Sequence, residues 1–192
     1  LDNNGSYVSY IRPDSNGVMN IFVQQLPTGP QLKALQRNAS LLDQRSDAER
    51  QITFDTKRGV SSYSWAEDDS TIFYLQDTGG DENFHLYMVS IRSLVNSSSS
   101  SNGNSSNGSK AAAAAAAVTQ DLTPFPGVKV QGIITNERVP RKIFFGMNKR
   151  DPTIYDMYSV NLDTREIALH TVNPGDVSSW LVDFDFELRV SG

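Results

Sequence analysis

Between Asp77 and His85 the chain sets three carboxylates, Asp77, Asp81 and Glu82, and one imidazole, His85, around the pair Gly79-Gly80. Carboxylate oxygens suit calcium or magnesium, and an imidazole nitrogen would add a ligand suited to zinc. The spacing matches neither an EF-hand loop nor a His-Glu-x-x-His helix. A surface hairpin explains the same residues: the glycines supply positive φ in a tight connection, and Asp81 or Asn83 bonds the turn backbone. The hairpin is the preferred reading, an interaction loop comes second, and no metal or other cofactor is expected.

A second charged stretch, Asn148-Lys149-Arg150-Asp151, precedes Pro152. Arg150 could clamp a carboxylate with two parallel bonds; the plainer alternative is an Asp-Pro turn with an Arg–Asp ion pair. Asp77, Asp81, Glu82, Asn83, Arg150 and Asp151 are therefore the candidate contacts with a substrate or a neighbouring domain.

Catalytic machinery is not expected. Serine hydrolysis on an α/β-hydrolase needs a G-x-S-x-G elbow and a carboxylate-held histidine. The strings Gly59-Val60-Ser61-Ser62-Tyr63 and Gly175-Asp176-Val177-Ser178-Ser179 both lack the closing glycine, and the histidines are two, His85 and His170. Cysteine is absent, which removes thiolate nucleophiles, thiolate metal sites and disulfides and fits a reducing compartment such as cytoplasm or organellar stroma. The formal charge of −5, without a Lys/Arg run, argues against a nucleic-acid backbone as partner. Gly103 and Gly108 lie in low-complexity sequence, outside the strand-to-helix setting that phosphate binding requires. No apolar run approaches the length of a membrane span.

The elements that must position these residues are mostly strands. Segments 7–11, 19–25, 61–66, 71–76, 84–91, 130–135, 142–147, 154–162, 167–172 and 184–190 are short, aromatic or β-branched, and bounded by Gly, Asp, Asn or Pro. Segment 31–51 alone reads as helical, with Leu32, Leu35, Ala39 and Leu42 at helix-like spacing. Its mixed charges describe a solvated face. Segment 93–118, serine- and asparagine-rich and then alanine-rich, cannot bury apolar area and reads as a low-complexity, disordered insertion.

Removing that insertion exposes a repeat. Ile72-Phe73-Tyr74 recurs as Ile143-Phe144-Phe145, and Leu86-Tyr87-Met88-Val89-Ser90-Ile91 recurs as Met157-Tyr158-Ser159-Val160-Asn161-Leu162, both at an offset of 71 residues. Without the insertion the period is about 45, a blade-like length. Trp65-Ala66-Glu67-Asp68 recurs as Trp180-Leu181-Val182-Asp183. These tryptophans could form a ligand platform, but their repeat positions favour blade core. His85 aligns with Asp156, which favours a solvated strand start for both.

Four short antiparallel strands per unit describe a β-propeller blade. Stacked blades bury both faces of their middle strands, so Phe84, Leu86 and Met88 can be apolar on one face while Tyr87, Val89 and Ile91 are apolar on the other. A β-sandwich is the alternative, although it usually leaves one face of such strands polar. The expectation is an all-β, partial β-propeller across 1–192, of about three blades plus fragments. Because a closed propeller usually needs at least four blades, the chain reads as a piece of a larger one.

The chain resembles the N-terminal propeller region of the prolyl oligopeptidase superfamily of serine peptidases, the group with dipeptidyl-peptidase-like and acylaminoacyl-peptidase-like enzymes. The residues that carry the likeness are Ser61-Ser62-Tyr63-Ser64-Trp65-Ala66, Ile72-Phe73-Tyr74-Leu75-Gln76-Asp77 with Gly80-Asp81-Glu82-Asn83, and Asp121-Leu122-Thr123-Pro124-Phe125. They continue through Asn148-Lys149-Arg150-Asp151-Pro152, Asp156-Met157-Tyr158 and Asn173-Pro174-Gly175 followed by Trp180. The resemblance implies a non-catalytic segment that caps a separate C-terminal α/β-hydrolase domain of the same parent chain and restricts access of peptide substrates. No nucleic acid or membrane is implied. A propeller used only for protein interaction is the alternative.

Overall fold

The computed structural model describes residues 6–27, 49–91, 119–183 and 188–191. Residues 31–48 of the expected helix and the whole of 93–118 lie outside the described residues. The chain forms two compact units: the first comprises Leu1–Trp65, Asp69–Ile72 and Val89–Thr119, the second Ala66–Asp68, Phe73–Met88 and Gln120–Gly192. Every described element is a strand.

Strands β1 (Tyr7–Pro13), β2 (Met19–Gln25) and β3 (Glu49–Gln51) form a sheet in that order. Strands β4 (Tyr63–Trp65), β5 (Thr71–Gln76), β6 (His85–Ser90) and β7 (Thr119–Asp121) form the next. Strands β8 (Val130–Ile134), β9 (Lys142–Asp151), β10 (Ile154–Asn161) and β11 (Ile167–Thr171) form the third, and β12 (Ser179–Val182) pairs with β13 (Leu188–Ser191). Sequential antiparallel pairing is explicit in the registers Tyr10↔Phe22, Phe145↔Tyr158 and Trp180↔Val190. These sheets are the blades of a partial β-propeller.

The middle strands carry apolar residues on successive positions because both faces are covered. Ile143 through Met147 are all buried, as are Met157 through Val160. In the second unit Phe73, Leu86, Met88, Phe145, Met147, Val160 and Leu162 meet in one core. Each such side chain contributes roughly 1.5–3 kcal/mol when removed from water. In the first unit Ile21, Val23, Ile52 and Val60 are buried. There Ser9 Oγ accepts hydrogen bonds from Tyr63 Oη and Trp65 Nε1, both at 2.8 Å.

Four expectations need correction. Glu49–Gln51, the last residues of the expected helix, form strand β3 instead. Tertiary contacts outweigh helix spacing there: the Glu49 carboxylate takes Arg12 Nε at 2.9 Å and Nη2 at 2.7 Å, and Tyr10 Oη at 2.5 Å. The supposed turn Asn148–Asp151 belongs to β9, and Asp151 faces Ile154 across a shorter reversal at Pro152-Thr153. Trp65 and Trp180 are half-buried rather than core. Each keeps its indole N–H on an oxygen, Ser9 Oγ for Trp65 and the Tyr155 carbonyl at 2.9 Å for Trp180. A buried Trp needs that partner, so the ring stays where its N–H can reach one. Finally, Asp156 is fully buried, not solvated.

Candidate functional site

The Asp77–Asn83 turn is wired to itself. Asp81 Oδ1 accepts the Thr78 N–H at 3.2 Å and the Asn83 N–H at 3.1 Å, while Oδ2 accepts Asn83 Nδ2 at 3.2 Å. Asp77, itself buried, accepts the Glu82 N–H at 3.2 Å. Gly79, Gly80 and Glu82 all have positive φ, at 68°, 93° and 60°. The N–H and side-chain donors of Asn83 hold the Asp81 carboxyl below its usual range. Of the turn's acidic side chains, Asp77 and Asp81 therefore shape the backbone, and Glu82 is exposed. Among the described residues no group of three or more His, Asp or Glu side chains is placed to hold a metal ion.

His85 pairs with β7, its Nδ1 2.8 Å from Asp121 Oδ2. Asp121 also accepts the Thr123 N–H at 2.8 Å. Thr123 Oγ1 in turn accepts the Leu86 N–H at 2.9 Å, and the Leu86 carbonyl accepts the Leu122 N–H at 2.8 Å. The first blade repeats this closure: the Ile21 N–H donates to Thr53 Oγ1 at 2.8 Å and the Ile21 carbonyl accepts the Ile52 N–H at 2.9 Å. Ile52-Thr53 and Leu122-Thr123 are thus equivalent latches where each blade's outer strand ends. The sequence marks Leu122-Thr123 only as part of the family likeness and gives no latch role to either apolar-Thr pair.

Arg150 is not paired with Asp151 as the simple turn reading holds. Its Nε meets Asp156 Oδ2 and its Nη2 meets Asp156 Oδ1, both at 2.9 Å, and Nη2 also donates to the Asn173 carbonyl at 3.0 Å. Hydrogen bonds from Arg150 hold the Asp156 carboxyl below its usual range against the opposing effect of burial, and the Asn173 N–H assists at 2.7 Å. Asp151 instead accepts the Thr153 N–H and hydroxyl at 2.8 and 2.7 Å. Arg150 and Asp151 thus serve separate local bonds. On the opposite strand face Lys149 Nζ lies 3.6 Å from the centre of the Phe125 ring.

A serine–histidine contact is present in β10 and β11, with Ser159 Oγ 2.8 Å from His170 Nε2. Ser159 is 1% exposed, so no acyl group can reach its oxygen. Burial first, and Lys142 second, hold His170 below the usual histidine range. The pair is a strand-to-strand bond.

Antiparallel four-stranded blade sheets with a self-bonded turn define a propeller scaffold. The particular likeness is to the propeller region of the prolyl oligopeptidase superfamily. The chain is 28% identical to dipeptidyl aminopeptidase BIII of Pseudoxanthomonas mexicana over 185 residues, covering 96% of this chain. It is 26% identical to dipeptidyl peptidase family member 6 of Caenorhabditis elegans over 191 residues, covering 100% of this chain. The chain spans 21% of the length of each of these relatives. No family model matches it. Among solved structures, prolyl oligopeptidase B from Galerina marginata superposes with a TM-score of 0.53 at 12% identity, over 95% of this chain and 21% of that one. A putative TolB from Agrobacterium tumefaciens also gives 0.53, at 13% identity, over 99% of this chain and 62% of that one. Both share the fold.

Proposed function

We propose that this segment is the non-catalytic propeller part of a prolyl-oligopeptidase-type serine peptidase. In the parent chain it caps a separate α/β-hydrolase domain and restricts which peptides reach the active site. The observation that carries the reading is the near-complete match of this chain to about a fifth of two dipeptidyl peptidases. The absence of a G-x-S-x-G string from the sequence fits a division of labour in which the nucleophile belongs elsewhere. Turns at the ends of blades are the surfaces such a cap would offer, and the self-bonded Asp77–Asn83 hairpin is one of them.

The test is the complete coding sequence of the parent. A segment 3′ of the Gly192 codon should encode an elbow serine followed in order by Asp and His. A complete reading frame without it overturns the proposal in favour of a propeller that only binds proteins. Where the hydrolase segment is present, the 192-residue chain should release no product from dipeptidyl or oligopeptide substrates that the parent cleaves. Turnover by the isolated chain would contradict the assignment.

A further inference from the structure

Lys129 and Lys149 meet aromatic rings where several other cations of the chain meet carboxylates. Lys149 Nζ lies 3.6 Å from the centre of the Phe125 ring, and Lys129 Nζ lies 5.5 Å from that of Phe84. Arg12, Arg141 and Arg150 instead pair with Glu49, Asp163 and Asp156. Among the described residues neither lysine ammonium is paired with a carboxylate. Hydrogen bonds gather both lysine–ring pairs within the second unit. The Val128 N–H donates to the Phe125 carbonyl at 3.4 Å and the Val130 N–H to the Phe84 carbonyl at 2.8 Å, so Lys129 sits between two anchored neighbours. The Lys129 N–H donates to Asn148 Oδ1 at 2.6 Å, and the Asn148 N–H returns to the Lys129 carbonyl at 3.3 Å. Lys149 therefore follows directly on the residue that pairs with Lys129. Asn148 is buried; Lys149, Pro124 and Pro126 are exposed, and Lys129 and both rings are half-buried.

We propose that Lys129 and Lys149 form a docking surface for an acidic peptide segment. The proposal rests on the reading of the parent as a peptidase, and it names the class of peptide that this blade end favours. A ring face attracts a cation without cancelling its charge, so each ammonium keeps N–H donors for an incoming carboxylate. A charge-assisted bond to a carboxylate is stronger than an exposed cation–ring contact, so the peptide gains more than the rings give up. Seating on the rings also reduces the freedom that each lysine stem loses on binding. A long polyanion fits less well, because the chain carries a formal charge of −5 and the exposed Glu82 stands two residues before Phe84. Arg150 is a poorer candidate, because its guanidinium is committed to Asp156.

The test uses the 192-residue chain labelled with ¹⁵N and a blocked peptide, acetyl-Ala-Glu-Ala-Glu-Ala-amide, with its Glu→Gln counterpart as the uncharged control. Titration with the first should shift the amides of Lys129, Val130 and Lys149 and saturate, and added salt should weaken binding. Lys129→Gln and Lys149→Gln should keep the dispersed spectrum and each weaken binding about threefold, the scale of one exposed ion pair, and together about tenfold. Lys57→Gln, which removes an exposed lysine of the first unit, should leave binding unchanged. Equal binding of the glutamine peptide, absent shifts at Lys129 and Lys149, or unweakened binding by the double variant would each overturn the docking surface. So would a loss from Lys57→Gln as large as from Lys149→Gln, or equally tight binding of inorganic phosphate or an oligothymidine. None of these results bears on whether the parent gene encodes a hydrolase domain, so the two readings fail separately.

Discussion

Arg150 and Asp156 close a two-bond fork across the β9–β10 reversal, Nε to Oδ2 and Nη2 to Oδ1, both at 2.9 Å. Asp156 is fully buried while the Arg150 side chain is 42% exposed. The carboxylate is thus taken from water and compensated by a cation that keeps one side in solvent, so the fork acts as the rivet of this blade end.

Asp156→Asn removes the charge and one acceptor at constant shape. We expect a loss of about 1.5–3 kcal/mol in urea unfolding, the range for hydrogen bonds to charged groups. The folded-state pKa of Asp156 is lowered, so its contribution is present above the usual carboxylate value, about 4, and is lost as pH falls below it. The variant should show a shallower acid-side decline in stability than the parent. An equal decline would show that Asp156 does not drive it.

Thr123→Val replaces the hydroxyl that accepts the Leu86 N–H and leaves that buried amide without its acceptor. The expected cost is about 1–3 kcal/mol, with faster hydrogen exchange at Leu86. Thr53→Val should do the same at Ile21. Thr123→Ser, which keeps the oxygen, should restore most of the exchange protection.

His170 is held below the usual histidine range by burial and by Lys142. Neutral imidazole is therefore favoured in the folded state, and stability should fall as pH drops through about 6.5 toward the depressed folded value. Lys142→Met removes the nearby positive charge and should raise the His170 pKa, read from its imidazole NMR shifts. A downward movement would contradict the electrostatic assignment.

Phe145→Ala empties a fully buried position at the centre of the second unit's core. The expected loss is about 3–5 kcal/mol by thermal or chemical unfolding. Leu169→Ala, on β11 of the same sheet but 50% exposed, should change stability by about 0.5 kcal/mol or less. Similar losses from both would mean that core burial does not set the stability of this blade.

The residue types of Ile72-Phe73-Tyr74 and Leu86 to Ile91, with their recurrence 71 residues later, determine strands buried on two faces and hence blades. The signal is strong because every position of a middle strand must satisfy a covered face. The same logic made the Asp77–Asn83 hairpin legible, since its glycines and short polar side chains are local turn chemistry. Strands β3 and β7, three residues each, carry no periodic pattern of their own. They exist because neighbours already in place offer them partners, as Glu49 shows with Arg12 and Tyr10. Tertiary structure alone decided that Arg150 takes Asp156 instead of adjacent Asp151 and that His85 takes Asp121. Each of these depends on which groups the folded sheets bring within hydrogen-bond reach after burial has removed water as their partner, and spacing along the chain does not encode that choice.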